Sequence, residues 1–390
     1  MLRIFADENI SSVVELFRPY GHVATAPGRE ITRDALQETD VLLVRSVTRV
    51  NAELLANTPV RFVGTATAGT DHVDVEDLRS LGVQFVHAPG SNAPSVGDYV
   101  IAAILTLSVT ERRRLRDLTC AVIGCGAVGG RLATRLEGLG LDVLRSDQPL
   151  DDALKRENLP LPFVDPDAAI EAADIVTLHV PLHDTVPYST FGLLDGERMR
   201  HLKDTAWIIN TSRGLVVDEP ALIHWMDGHP KGRAVIDVWA DEPDLSCEMA
   251  RRATLATPHI AGYALEGKRR ATLMLRNELA TWLGEKELAS ETPPELIMLK
   301  PELPSEGSQD EWLHYLVRSV YDIGRDHHAL LPICDRPASD RASYFESLRH
   351  SYPTRHEFSR YRLPKPLVAP HLESVVRDGL GMEIGGWTSD

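Results

Sequence analysis

Residues 119–130 read TCAVIGCGAVGG. The apolar run 120–123 breaks at Gly124-Cys125-Gly126-Ala127-Val128-Gly129, and an amphipathic segment, 131–136, follows at once. This order predicts a strand, a tight turn and a helix. Glycines at the first, third and sixth positions let the chain turn sharply, bring backbone N–H groups against a pyrophosphate and pack the helix closely on the strand. The helix N-terminus then faces the anion. An acid ending the next strand, about 20 residues on, completes the pattern, and the run 141–147 supplies Asp147. A carboxylate there accepts hydrogen bonds from the adenosine ribose hydroxyls and repels a 2′-phosphate, so the expected cofactor is NAD, not NADP. Arg145 is a complication, because an arginine near this place can accept that phosphate.

The 390 residues around this turn suffice for two or three domains and a large core. With 43% hydrophobic and 25% charged residues the composition is that of a soluble globular protein. A net charge of -16 argues against a nucleic-acid surface, and no basic stripe overrides it. An anionic substrate must therefore be captured by a local cluster of positive groups. The four cysteines, Cys120, Cys125, Cys247 and Cys334, show no CxxC pairing, so neither a disulfide framework nor a metal site is expected. The N-terminus runs straight into a strand pattern, and we read no apolar run of about 18 residues, so a cytoplasmic protein without membrane partners is expected.

Before the glycine turn, short apolar runs at 2–6, 41–44, 62–64 and 83–86 alternate with helical segments at 8–17, 51–56 and 75–81, which predicts a parallel, doubly wound sheet. A mostly apolar helix over 94–109 leads into the second α/β unit. There the expected strands lie at 175–178, 206–210, 233–237 and 254–256, with an acid-capped, proline-containing helix start at Asp218-Glu219-Pro220. Residues 262–283 read as one long helix returning to the first domain. The stretch 291–307 has the composition of a linker, and 311–323 reads as a helix opening a tail about a hundred residues long.

Ligands of open α/β sheets sit beyond the carboxyl ends of the strands. Arg213, Glu242 and His259 each follow an expected strand end in the second unit. If those strands are neighbours, the three side chains converge. Oxidation of a secondary alcohol needs a base for the hydroxyl proton while hydride passes to the nicotinamide. His259 suits the base, Glu242 is the nearest carboxylate to fix its tautomer, and Arg213 can hold a substrate carboxylate with its planar fork.

The segments INTSRGLVVDEPAL, AVIDVWADEP and ATPHIAGYALEGKRRAT, with VGTATAGTDHVDVEDLRSLGVQFVHAPGSNAPSVGDYV upstream, resemble the D-isomer-specific 2-hydroxyacid dehydrogenases. The resemblance implies two Rossmann/flavodoxin-like doubly wound parallel-sheet domains with a C-terminal α+β dimerisation domain: residues 1–98 plus 263–285 for substrate, 99–262 for NAD, and 286–390 for a homodimer. It implies Arg213, Glu242 and His259 as the catalytic set. It also assigns NAD contacts to Gly124, Gly126, Ala127, Val128, Gly129, Asp147, Val180, Thr211, Ser212, Arg213, Asp237 and Gly262, and substrate contacts to Ser46, Thr67 and Tyr263. The family usually has glutamate where Asp98 stands, in a position expected to orient the crossover helix. The implied substrate is a small phosphorylated hydroxy acid. Arg45, Lys268 and Arg349 are each able to meet its phosphate, and an unphosphorylated acid or an NAD-sensing binding protein stays open at this point.

Overall fold

The computed structural model describes residues 1–159, 163–285, 295–304 and 306–386. It divides into two compact units, Met1–Asn92 with Ala264–Pro294, and Ala93–Tyr263 with Glu295–Asp390.

The first unit is built on five parallel strands, β1 (Leu2–Asp7), β2 (Gly21–Ala26), β3 (Val41–Val44), β4 (Phe62–Thr65) and β5 (Gln84–His87), in the order β2-β1-β3-β4-β5. This is the flavodoxin-like doubly wound order. Successive strand side chains point to opposite faces, and the unit has two apolar layers accordingly. Ile4, Ala6, Val41, Leu43 and Phe62 pack with Leu275, Leu279 and Ala280 of the return helix Leu265–Trp282. On the other face, Leu42, Val44 and Val63 pack with Leu36, Val50 and Leu55. Gly64 lets the return helix lie close, since a Cβ there would stand 3.4 Å from both δ-methyls of Leu275.

Two expectations change here. β2 has no aliphatic run because it is an edge strand, paired only with β1 and half-exposed, so GHVATA escapes a hydrophobicity reading. The helix expected over 8–17 is only Val13–Phe17. Ahead of it Asp7 Oδ1 accepts the Asn9 N–H at 2.8 Å, and Ser12 takes a left-handed φ of 56°. Such a side-chain bond competes with helix formation.

The second unit carries six parallel strands, β6 (Thr119–Ile123), β7 (Asp142–Ser146), β8 (Ile175–Leu178), β9 (Trp207–Asn210), β10 (Arg233–Ile236) and β11 (Leu255–Ala256), ordered β11-β10-β9-β8-β6-β7. Strand order reverses at β6, so the crevice beyond β6 and β8 is the topological switch point. β9, β10 and β11 are neighbours. The Ala93–Glu111 helix is long and apolar enough to cross a membrane, against our reading of the sequence, yet 78% of its apolar stretch is buried. Its whole length belongs to the second unit.

The tail is grouped with this six-stranded sheet in one unit, where a separate third domain was expected. Leu313, Leu316, Val317, Phe358, Leu363 and Val376 join the layer containing Val122, Trp207 and Ile209. Leu330, Ile333 and Phe345 join the opposite layer, with Ala121, Ile208 and Ile236. The helix expected over 311–323 is Gln309–Val320, opened by a Ser308–Glu311 capping box and ended by extended Tyr321. A second helix, Ile323–Leu330, starts on Asp322. The tail also forms a small parallel sheet of β12 (Ile297–Met298), β13 (Tyr361–Pro364) and β14 (Glu383–Gly385). The linker expected over 291–307 lies partly outside the described residues.

Asp98 does more than orient the crossover helix. Its Oδ1 accepts Arg135 Nη2 at 2.7 Å and its Oδ2 accepts the Phe358 N–H at 2.8 Å, while Arg135 also donates to the Gly379 and Leu380 carbonyls. Burial pushes the Asp98 carboxyl up to about 6, against the opposing pull of Arg135. Asp98→Ala is expected to cost about 3 kcal/mol, because it leaves Arg135 as an uncompensated, mostly buried charge. Chemical denaturation monitored in the tail checks this, and Asp98→Ala with Arg135→Met should recover much of the loss.

Candidate active site

β6 runs into the glycine turn with each glycine held for a different steric reason. Gly124 takes φ +87°, and a Cβ on it would fall 2.6 Å from the His179 carbonyl oxygen and 2.8 Å from Val180 Cγ1. A Cβ on Gly129 would fall 1.8 Å from the Gly124 carbonyl oxygen. At Gly126 a Cβ would meet nothing within 4 Å, so this face of the turn is open to a ligand. The Gly129–Gly138 helix follows from Val128 with no side-chain cap on its first N–H groups. An open, uncapped helix start after a glycine turn suits a pyrophosphate.

Asp147 stands just past β7. Its Oδ2 accepts the Cys125 N–H at 2.8 Å and its Oδ1 accepts the Leu150 N–H at 3.0 Å, capping the Gln148–Arg156 helix. Asp147 thus ties the two turns together, and each oxygen keeps a second acceptor site for a ribose hydroxyl. Arg145 turns away into a two-pronged pair with Glu137. That pair holds the Glu137 carboxyl below its ordinary value. A cavity of about 450 Å³ opens beside Asp147, lined among others by Asp151, Lys155, Asp165 and Tyr188. It lies at the end expected for adenosine, and none of Arg213, Glu242 and His259 lines it. Burial pushes the Cys125 thiol up to about 11, so that cysteine packs and does not react.

Beyond β8, burial drives the His179 imidazole down to about 3. The neutral ring lies 2.9 Å from Thr177 Oγ1 and 3.4 Å from Thr211 Oγ1. After β9, Asn210 shapes the next loop. Its Oδ1 accepts from the Ser212 N–H and hydroxyl, and its Nδ2 donates to the Arg213 carbonyl. Arg213 Nη1 donates to the Ser212 carbonyl at 2.8 Å. Gly214 then allows contact with the loop after β10, since a Cβ on it would be 2.0 Å from the Trp239 carbonyl carbon and oxygen.

The loops after β10 and β11 bring Glu242 and His259 together. His259 Nδ1 lies 2.6 Å from Glu242 Oε2, and Glu242 Oε1 accepts the Trp239 N–H at 2.8 Å. A carboxylate only accepts, so Nδ1 donates and Nε2 is left as the basic nitrogen. The imidazole is 35% exposed and the carboxylate 22%, so the ring is the more accessible member of the pair. Burial alone would raise the Glu242 carboxyl. The charge and hydrogen bond of His259, the Trp239 N–H and the charge of Arg349 together take it below its ordinary value.

Asp237, expected among the NAD contacts, is 1% exposed and hydrogen-bonded through both carboxylate oxygens. Its Oδ1 accepts the Thr257 hydroxyl at 2.6 Å and the Ile260 N–H at 2.8 Å, and its Oδ2 accepts the Ala261 N–H at 2.9 Å. Its carbonyl accepts the His259 N–H at 2.8 Å. These bonds hold His259 in a left-handed conformation, φ 56°, that a residue with a side chain rarely adopts. Thr257 passes the chain on to Tyr99, hydroxyl to hydroxyl at 2.7 Å, and its carbonyl accepts Trp239 Nε1. Gly262 lies in the turn closed by the Tyr263 N–H to the Ile260 carbonyl.

The tail borders the same loop, which the sequence alone did not reveal. Arg355 Nη2 donates to the Ala261 carbonyl, His327 Nδ1 accepts the Ala256 N–H at 3.0 Å, and Tyr352 meets the edge of the Tyr263 ring at 5.8 Å. In the first unit, Ser46 is exposed in the turn after β3. Thr67 follows β4, bonded to Thr65 Oγ1 at 2.8 Å and to the Gly69 carbonyl at 2.7 Å. Arg45 is spent on Asp7, with Nε 3.0 Å from a fully buried carboxylate.

A dinucleotide-binding turn and an imidazole–carboxylate pair at the carboxyl edge of one parallel sheet define an NAD-dependent dehydrogenase. The family model for the D-isomer specific 2-hydroxyacid dehydrogenase NAD binding domain matches residues 105–261, and a domain of unknown function, DUF3410, matches 300–374. The chain is 42% identical to an erythronate-4-phosphate dehydrogenase of Salinibacter ruber over 98% of this chain and 99% of that one. It is 40% identical to an erythronate-4-phosphate dehydrogenase of Pseudomonas savastanoi pv. phaseolicola, over 91% and 93%. A D-lactate dehydrogenase from Aquifex aeolicus, solved with NAD and lactic acid, is similar in fold with a TM-score of 0.60 and 24% identity, covering 73% of this chain and 96% of that one. The chain belongs to the D-isomer specific 2-hydroxyacid dehydrogenases, in the branch of the erythronate-4-phosphate dehydrogenases.

Asp237→Asn would set an amide against at least one of the three donors its carboxylate now satisfies. The expected result is a loss of about 2 kcal/mol in stability and a larger relative loss in turnover, because His259 rides on the loosened loop. Chemical denaturation beside steady-state kinetics checks it, and unchanged kcat in a folded variant would remove Asp237 from the positioning of the histidine.

Proposed function

We propose that this chain oxidises 4-phospho-D-erythronate at C2, giving 2-oxo-3-hydroxy-4-phosphobutanoate and NADH, on the path to pyridoxal 5′-phosphate. The observation that carries the reading is the 2.6 Å contact between His259 Nδ1 and Glu242 Oε2 at the ends of adjacent strands, joined to relatives of that name over nearly the whole chain.

Bound NAD supplies the hydride acceptor. Gly124, Gly126, Ala127, Val128 and Gly129 would hold its pyrophosphate, Asp147 its ribose, and Val180, Thr211, Ser212 and Gly262 would line its path toward His259. Nε2 of His259 takes the proton of the C2 hydroxyl, and the Glu242 carboxylate stabilises the imidazolium that results. Arg213 binds the C1 carboxylate and polarises the C2 oxygen. Tyr263, Ser46 and Thr67 offer hydroxyl contacts to the substrate. Asp237 acts through the loop it ties down, and its Oδ2, which accepts one N–H, keeps a second acceptor site for the cofactor amide.

We also assign residues 286–390 a dimerisation role, and the cytoplasm as the compartment, where the four free cysteines stay reduced. Sedimentation of the purified full chain should give the dimer mass; a monomer at micromolar concentration would sink the dimerisation reading, and recovery outside the cytoplasmic fraction of lysed cells would sink the other.

The substrate reading is tested by coupled turnover of 4-phosphoerythronate with NAD against glycerate and 3-phosphoglycerate. Equal kcat/KM for all three would refute it. His259→Asn should lower kcat by about 10² to 10⁴ with NAD affinity unchanged. Glu242→Gln removes the charge that favours the protonated ring, so the acid limb of the kcat/KM profile should move to lower pH while the plateau falls. A limb that stays in place would separate Glu242 from the base.

A further inference from the structure

Arg349 lies in the last turn of the Ala338–His350 helix of the tail. Although that helix buries only Phe345 fully, the Arg349 side chain is just 14% exposed. Its guanidinium stands over the Tyr263 ring, 5.6 Å from the centroid, and is 5.8 Å from the centroid of Phe345. Nη1 reaches Glu346 Oε1 only at 3.6 Å, a long pairing with a half-exposed acid. Nε is buried and has no hydrogen-bond partner among the described residues. A buried donor left unmatched is costly, and more so on a charged group.

The position gives this donor meaning. Tyr263 follows His259 by four residues, and the charge of Arg349 is one of those felt by the Glu242 carboxylate. Arg213 and Arg349 are therefore both carried by the unit that bears the reacting pair. A substrate with a carboxylate at one end and a phosphate at the other needs two separate cations, and a chain of net charge -16 offers no general attraction for it. Arg213 serves the carboxylate. Of the other cations considered from the sequence, Arg45 has its Nε on the buried Asp7 carboxylate, and both Arg45 and Lys268 belong to the first unit, whereas Arg349 belongs to the unit of the reacting pair. Arg349 also hydrogen-bonds Tyr263, so the unmatched part of its guanidinium is Nε; a guanidinium suits phosphate because its planar fork makes charge-assisted bonds.

We propose that Arg349, contributed by the domain of unknown function, is the specificity-determining residue that receives the terminal phosphate of the substrate. This rests on the phosphorylated 2-hydroxy acid reading above. The competing account is a packing role, with Arg349 only holding Tyr263 in place.

The experiment compares wild type, Arg349→Gln and Arg349→Lys in the full chain with NAD, on 4-phosphoerythronate and on unphosphorylated erythronate. Arg349→Gln should lose about 10- to 100-fold more in kcat/KM on the phosphorylated acid than on erythronate, with the difference mainly in KM. Arg349→Lys, which keeps the charge without the fork, should recover part of the loss. Equal losses on both acids, or no loss on either, would overturn the assignment. Inorganic phosphate gives a second readout that does not depend on turnover. It should bind the NAD-loaded wild type and bind Arg349→Gln at least tenfold more weakly, and equal binding to both counts against the proposal. If wild type ignores 4-phosphoerythronate the function reading fails, and the phosphate comparison still decides the role of Arg349.

Discussion

The candidate site depends on one buried carboxylate. Asp237 sits at the end of β10 and takes up one hydroxyl and two backbone N–H groups from the segment after β11. A carboxylate withdrawn from water is costly unless its oxygens are matched, and here the matching donors all come from residues 257–261. The same exchange that pays for burying Asp237 holds His259 at a positive φ and turns its ring toward Glu242. Base, tautomer-fixing acid and strand edge are therefore one construction.

Much of this was legible in the sequence because the relevant contacts are local or follow from strand order. The glycine turn, Asp147 after the second strand, and three polar residues after successive apolar runs fix which loops carry chemistry once β9, β10 and β11 are neighbours. The acid cap at Asp218 was readable for the same reason, since its N-cap bond spans three residues. What escaped was long-range. The role of Asp98 rests on Arg135 and Phe358, and those of Arg355 and His327 on backbone atoms of residues 261 and 256. No periodicity announces such pairs. β2 escaped for another reason, because an edge strand half in solvent has no need of aliphatic side chains.

The tail shows how a segment can look like a separate module and pack as part of another. Its composition changes after residue 290 and its prolines suggest short, independent pieces. In the structure its apolar residues complete both faces of the six-stranded sheet, and Asp98 and Arg135 bind it from within. This packing sets Arg349, Tyr352 and Arg355 beside the 256–263 loop.

The first unit is discontinuous, and that has a consequence for how the protein is made. Its five strands are complete by His87, yet one of its two apolar layers is finished by Leu275, Leu279 and Ala280. Roughly 180 residues separate the sheet from the helix that covers it. At ribosomal speeds of about 5–20 residues per second, that face waits on the order of 10–40 s for its cover. During synthesis the nascent chain exposes Ile4, Val41, Leu43 and Phe62, so the first part of the protein to emerge is among the last to be sealed.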